Sequence, residues 1–86
     1  MGSVAITFRI MPDDIASDLE RIKAGIREAL GGSLRDLKEQ PIAFGLTAVL
    51  AVAVVSDSAG GTEALEQSLG AIPGVTSVET VDVTLV

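Results

Sequence analysis

The most continuously apolar stretch of the chain lies in its middle, from Leu46 to Val55. A β-strand places alternate side chains on opposite faces, so this stretch divides into two sets. One set is Val49, Ala51, Ala53 and Val55, and the other is Leu46, Ala48, Leu50, Val52 and Val54. Because both sets are apolar, the pattern predicts a strand over Leu46–Ser56 in the centre of a sheet.

A short corner, Pro41–Gly45, leads into this strand and carries Phe44, one of only two aromatic residues in the chain. Pro41 lacks a backbone donor and biases Gln40 towards extended geometry, whereas Gly45 permits backbone angles that other residues avoid. The Phe44 side chain has two alternatives. It can tuck under the sheet, which composition alone favours, or it can stand exposed as an anchor for a partner's pocket.

Two patterns precede the corner and predict a strand followed by a helix. The strand has one buried face, formed by Val4, Ile6, Phe8 and Ile10. The helix begins either with a capping box of Ser17 and Glu20 or nearer Asp14, and the Gly31-Gly32 pair is expected to end it. Its apolar face recurs at helical spacing in Ile15, Leu19, Ile22, Ile26 and Leu30.

The remaining segments complete the set of predicted elements. Charged residues dominate Ser33–Gln40, which suits a solvated edge strand. After the central strand, Asp57–Gly61 reads as a loop and Thr62 as the N-cap of a short helix that Pro73-Gly74 ends. The inner face of this helix is Leu65, Leu69 and Ile72. A last strand, Val75–Val86, would place Val81, Val83 and Leu85 on one face and Val78, Asp82 and Val86 on the other.

The predicted order is β-α-β-β-α-β, the ferredoxin-like arrangement of an α+β two-layer sandwich. We expect one domain over residues 1–86, with a four-stranded antiparallel sheet and both helices on one face. Strands one and three would be central and strand two an edge. The Pro41–Gly45 corner and the segment Asp82–Val86 would then lie at opposite ends of the sheet, roughly 20–30 Å apart at about 3.3 Å per residue.

Composition and charge exclude several classes of function. The net charge of −6 disfavours binding to nucleic-acid backbones, and two aromatic residues are too few for an RNA-stacking sheet. The absence of Cys and His removes disulfides, thiolate or imidazole metal sites and the commonest acid–base catalyst. The longest low-charge run, Pro41–Ser56, is shorter than a membrane helix, and no signal peptide is visible. We therefore expect a cytoplasmic protein that binds neither nucleic acid nor membrane.

Two local clusters are candidates for chemistry, and each has a simpler interpretation. Asp13 and Asp14 are adjacent carboxylates, but without other ligands nearby they are better explained by loop and cap chemistry. Gly60-Gly61-Thr62 loosely resembles a phosphate-binding loop, but the following lysine is missing, which favours a plain helix start. Because no nucleophile stands with a base, we expect no catalytic residue, no metal and no cofactor.

With these residues identified, the chain resembles the archaeal elongation factor 1-beta proteins and the guanine-exchange domain of eukaryotic elongation factor 1-beta. The most specific match is Pro41-Ile42-Ala43-Phe44-Gly45-Leu46, which is similar to the hallmark segment of that family. Supporting matches are the opening Val4–Pro12 strand with its Met-Pro end, Gly61-Thr62-Glu63 and Val81-Asp82-Val83. The resemblance covers nearly the whole chain.

The resemblance implies a nucleotide exchange factor for elongation factor 1-alpha, which it would bind in the GDP-bound and nucleotide-free forms. It also implies that the domain bridges two parts of that GTPase and that Phe44 is exposed. One end would contact the nucleotide-binding domain, and the end that carries Phe44 would dock on the second domain. The implied partner-binding residues are Pro41, Ile42, Ala43, Phe44, Gly45 and Leu46 at one end and Asp82, Val83, Thr84, Leu85 and Val86 at the other.

Two departures from the family pattern concern the mechanism. The eukaryotic domain carries a lysine near its carboxy-terminus that enters the magnesium site, whereas this sequence has no basic residue after Lys38. The lysine-insertion mechanism therefore cannot be carried over from the eukaryotic domain. Steric wedging by the terminal strand, or the carboxy-terminus itself, would have to serve. Thr47 also stands where the family commonly has a basic residue, which would weaken electrostatic steering to the partner.

Two other functions are alternatives to nucleotide exchange. A free-standing regulatory module that binds an amino acid has the same βαββαβ order, and fold alone does not separate it from an exchange factor. Such modules usually have a glycine-rich first loop, whereas the first loop here is Pro12-Asp13-Asp14. A small metabolic enzyme is disfavoured by the missing His and Cys.

Overall fold

The computed structural model describes residues 2–13, 18–56 and 63–85. Within these residues the order of elements is β-α-β-β-α-β, as the sequence predicts. The elements are β1 (Ser3–Pro12), α1 (Leu19–Leu30), β2 (Leu34–Pro41), β3 (Thr47–Ser56), α2 (Glu63–Gly70) and β4 (Val75–Leu85). Short turns, Gly31–Ser33 and Ala43–Gly45, flank β2.

The four strands form one antiparallel sheet in the order β2-β3-β1-β4. β1 and β3 are central, and β2 is an edge that pairs only with β3, so the predicted ferredoxin-like topology is confirmed. Asp36, Lys38 and Glu39 are exposed on β2, as expected of a solvated edge.

The core lies between one face of the sheet and the two helices. Large residues of β1 stand opposite small residues of β3, as in the pair of Phe8 with Ala51, and both of these residues are fully buried. This alternation of size makes room for the helices to approach the sheet. The core residues are Ile6, Phe8, Ile10, Ile22, Ile26, Leu30, Val49, Ala51, Ala53, Leu69 and Ile72.

The first helix starts at a cap that the sequence analysis did not identify. Oδ1 of Asp18 accepts hydrogen bonds from the backbone N–H groups of Glu20 at 3.0 Å and Arg21 at 3.3 Å, so Asp18 is the N-cap. Both predicted starts were wrong, because a carboxylate at this position reaches two N–H groups that have no partner within the helix. The predicted caps, Ser17 and Asp14, lie outside the described residues, as does Ile15.

The ends of both helices test two further predictions. The prediction that the Gly31-Gly32 pair ends the first helix is confirmed. The last helical residue is Leu30, and Gly31 follows it with a positive φ of 53°, which glycine adopts readily. The second helix ends at Gly70, before the predicted Pro73-Gly74 stop, because the N–H of Ile72 already bonds to the carbonyl of Leu69 and tightens the chain into a turn. The loop Asp57–Gly61 and the predicted cap Thr62 lie outside the described residues.

The last strand contains a bulge that corrects its predicted faces. Thr80 stands opposite Phe8 and Asp82 opposite Thr7, so Val81 is an extra residue without a partner on β1. Val78 faces the helices opposite Ile10, whereas Asp82 lies on the open face of the sheet. The prediction that these two residues share a face is wrong, because the inserted residue reverses the alternation.

Candidate partner-binding site

The two segments that the sequence analysis singled out lie at opposite ends of the sheet. At one end Pro41 pairs with Thr47, and at the other Val4 pairs with both Val55 and Leu85. Thr47 and Val55 are eight residues apart on one strand, which corresponds to about 26 Å. We call Pro41–Leu46 the corner segment and Asp82–Val86 the terminal segment, of which the structure describes Asp82–Leu85.

Backbone hydrogen bonds close the corner segment into a tight reversal between β2 and β3. The N–H of Ile42 donates to the carbonyl of Leu46 at 2.7 Å, and the N–H of Leu46 donates to the carbonyl of Ala43 at 3.3 Å. Between them, Phe44 has φ 62° and ψ 29°, and Gly45 has φ 79°. The chain therefore turns through two successive residues of positive φ.

This reversal leaves the Phe44 side chain in solvent. Phe44 is 95% exposed, whereas Ile42 and Leu46 on either side of it are half-buried. Of the two alternatives for this aromatic, the structure supports the exposed one. An isolated aromatic ring held at the tip of a turn has the form of an interface anchor.

The terminal segment presents a second group of exposed apolar side chains. Val83 is 54% exposed and Leu85 is 76% exposed, and just before them the bulged Val81 is 43% exposed. Val83 stands opposite Ile6 and Leu85 opposite Val4, so both occupy the face that the helices cover farther along the sheet. The alternation of the sequence did not predict the bulge at Val81, because valine favours strands and no nearby residue signals a bulge.

Among the described residues, the large hydrophobic side chains that are exposed are Phe44, Val81, Val83 and Leu85. They lie in the two predicted segments and at the bulge that leads into one of them. The rest of the described apolar residues of similar size are buried or half-buried. Three of these four side chains, Phe44, Val83 and Leu85, therefore lie towards the two ends of the sheet, whereas Val81 lies near its middle. Exposed apolar side chains are typical of sites that contact other proteins.

Polar contacts near the terminal segment fix β4 to its neighbours. The Thr80 hydroxyl donates to Oε2 of Glu66 at 2.5 Å, which ties β4 to α2 one residue before the bulge. On the open face, Arg9 and Glu79 form an ion pair at 2.5 Å. Within the segment, the Thr84 hydroxyl donates to Oδ2 of Asp82 at 3.1 Å. Among the described residues of this segment, Asp82 is the one with a charged side chain.

One ion pair joins the helical layer to the edge of the sheet. Nζ of Lys23 lies 2.5 Å from Oε2 of Glu39, and this contact ties α1 to β2 and raises the pKa of the Lys23 ammonium group. The N–H of Asp13 donates to the carbonyl of Gly74. In the ranges that the structure describes, no group of carboxylates is arranged to hold a metal ion. Asp14 and Gly60-Gly61-Thr62 lie outside those ranges.

A groove between the two helices is the remaining feature of note. It encloses about 580 Å³ and is open to solvent, and small residues such as Ala24, Gly25 and Ala71 line it. Its lining residues include none of the corner segment or of the described terminal segment. Neither described helix is long and apolar enough to cross a membrane.

Comparisons with known proteins place the chain in a family. Residues 5–86 match the family model described as the EF-1 guanine nucleotide exchange domain. The chain is 46% identical over 85 residues to the elongation factor 1-beta of Methanoregula boonei, with 99% of each chain covered. It is 46% identical to that of Methanothermobacter thermautotrophicus, with 96% of each covered, and 45% identical to that of Methanoculleus marisnigri over the full length of both. These matches favour the exchange factor over the amino-acid-binding module and the small enzyme.

Proposed function

The chain belongs to the elongation factor 1-beta family, and on that premise we propose that it works by bridging its GTPase with the two ends of its sheet. Its function is guanine-nucleotide exchange on elongation factor 1-alpha, which delivers aminoacyl-tRNA during translation. The corner segment docks on the second domain of the GTPase, and the terminal segment contacts the nucleotide-binding domain. We further propose that residues 1–86 act as one exchange domain and that they do so in the cytoplasm.

The observation that carries this proposal is the concentration of exposed apolar side chains at the two ends of the sheet. Phe44 lies at one end and Leu85 at the other, about 26 Å away along the strands, and Val83 lies two residues before Leu85. A surface with a single contact patch would hold only one domain of the GTPase. Two patches on a rigid sheet can hold two domains in a fixed relation, and this is what a partner that stabilises one conformation requires.

Exchange of this kind needs no catalytic side chain. A GTPase holds its nucleotide through a phosphate-binding loop and a magnesium ion, and a partner that prefers the empty form weakens that hold. By linkage, the partner lowers nucleotide affinity by the same factor by which the nucleotide lowers affinity for the partner. We therefore propose that the protein binds both the GDP-bound and the nucleotide-free forms and favours the latter. No covalent bond is changed.

The chemistry of the terminal segment favours steric displacement over charge insertion. No Lys or Arg follows Lys38 in the sequence, and Asp82 is the one charged residue of the segment. A carboxylate has the same charge sign as the phosphates, so it cannot take the place of the magnesium ion beside them as an ammonium group can. Val83 and Leu85 are apolar and exposed, so they can pack against the switch region and shift the groups that hold magnesium.

The test is the release of a fluorescent GDP analogue from elongation factor 1-alpha, followed with excess unlabelled nucleotide. Acceleration by this protein at less than one molecule per GTPase is the expected result, because an exchange factor turns over. A rate that stays at the spontaneous value, with a folded protein and the cognate GTPase, would contradict the proposal. An unrelated ferredoxin-like domain of similar charge serves as the control.

A further inference from the structure

Two anomalies of the described chain coincide at Phe44. Its φ of 62° is the one positive φ among the described residues that are not glycine. Its side chain is also the most exposed of the described large hydrophobics. A left-handed backbone is disfavoured for any residue with a Cβ atom, and a bulky aromatic adopts it only when the surrounding chain imposes it.

The corner segment supplies that constraint. The hydrogen bond from Ile42 to Leu46 leaves only three residues for the reversal, so the direction of the chain must change at Phe44 and Gly45. Gly45 has φ 79°, which glycine adopts freely and L-residues with a side chain rarely adopt. Gly45 thereby stabilises the conformation in which Phe44 stands at the tip of the turn.

We infer that Gly45 is a positioning residue, which holds Phe44 in its exposed orientation before the partner binds. This inference rests on the proposed role of Phe44 as the anchor of the corner segment. Holding the ring in place in the free protein reduces the ordering that binding must otherwise bring about. Asparagine or glycine at position 44 would suit the backbone better, so stability alone does not explain an aromatic there.

The inference is tested with a double-mutant cycle on affinity for nucleotide-free elongation factor 1-alpha, measured by calorimetry. The four proteins are the wild type, Phe44→Ala, Gly45→Ala and the double variant. Gly45→Ala is expected to weaken binding about tenfold when Phe44 is present. In the Phe44→Ala background the same change is expected to alter affinity less than about twofold, because there is no ring left to misplace.

Two matched variants at the same position separate backbone conformation from side-chain bulk. Gly45→Asn tolerates the left-handed region and should recover most of the affinity that Gly45→Ala loses. D-Alanine at position 45, introduced by chemical synthesis, adds the same methyl group as alanine but prefers positive φ, so it should bind several-fold more tightly than Gly45→Ala. These two proteins keep the test decisive even if Gly45→Ala does not fold.

The outcomes distinguish this inference from the proposed function. If Phe44→Ala weakens binding while Gly45→Ala does not, the positioning role is overturned and the anchor stands. An equal loss from Gly45→Ala in both backgrounds, or a large loss with D-alanine, also overturns it. If Phe44→Ala binds like the wild type, the anchor role and the inference fall together. Melting temperatures of all variants exclude loss of fold as the cause.

Discussion

Replacing Phe44 by alanine separates binding from folding more cleanly than any other change in the corner segment. The ring is 95% exposed, so its removal takes almost nothing from the core. The backbone hydrogen bonds of Ile42 and Leu46 do not involve the side chain and should persist. Alanine at the same left-handed φ carries a similar strain, so we expect the free energy of unfolding to change by less than about 0.5 kcal/mol.

The effect on binding follows from the area that the ring can bury. An aromatic side chain can bury on the order of 150 Å² in an interface, which at about 25 cal/mol per Å² gives about 4 kcal/mol for complete burial. A ring at the tip of a turn enters a pocket only in part, and the methyl group of alanine retains some contact. We therefore expect a loss of about 2 kcal/mol, which corresponds to a roughly 30-fold rise in Kd.

Isothermal titration of nucleotide-free elongation factor 1-alpha measures this loss directly. Phe44→Leu is the matched control. Because it keeps a large apolar side chain, its loss of binding free energy should be less than half of the loss for Phe44→Ala. Val81→Ala, at an exposed position outside both segments, tests whether any exposed apolar residue gives the same result. A Kd within about twofold of the wild type for Phe44→Ala, with an unchanged melting temperature, would refute the reasoning.

Three further predictions concern stability and are checked by thermal unfolding. Asp18→Ala should cost about 1 kcal/mol, or roughly 4–8 °C, whereas Asp18→Asn keeps the cap and should cost less. Gly25→Ala places a Cβ 2.8 Å from Cγ2 of Ile72, so it should lower the free energy of unfolding by about 1 kcal/mol although alanine forms helices better than glycine. Gly70→Ala is the control, because a Cβ there has no neighbour within 4 Å, and it should not destabilise the protein. Thr80→Val leaves the half-buried Glu66 carboxylate without its donor and should cost about 1 kcal/mol; an unchanged melting temperature would contradict the link between α2 and β4.

The topology could be predicted from the sequence because its main signals are strong and agree with one another. The doubly apolar strand was expected in the centre, and the structure places β3 there. Charges predicted Ser33–Gln40 as an edge, and β2 is one. The opposite placement of the corner and terminal segments then followed from the directions of the strands alone.

The details that failed depend on contacts that a linear pattern does not contain. Ser17 and Asp14 were plausible caps, and the choice of Asp18 depends on which side-chain oxygen reaches the free N–H groups of the first turn. The bulge at Val81 depends on the register between β4 and β1. Composition did not decide whether the Phe44 side chain is buried or exposed. A hydrophobic residue at a corner can point under the sheet or into solvent, and the backbone of the turn determines which.

The most direct test of the two-ended account is a titration of exchange with three proteins. The rate of fluorescent GDP release from elongation factor 1-alpha is measured against concentration for the wild type, Phe44→Ala and a deletion of Thr84–Val86. We predict that Phe44→Ala raises the half-saturating concentration and keeps the maximal rate, because it affects docking. The deletion should lower the maximal rate and change half-saturation by less than about threefold. If both variants change the same parameter, or if the deletion leaves the rate unaltered, the division of roles between the two ends is wrong.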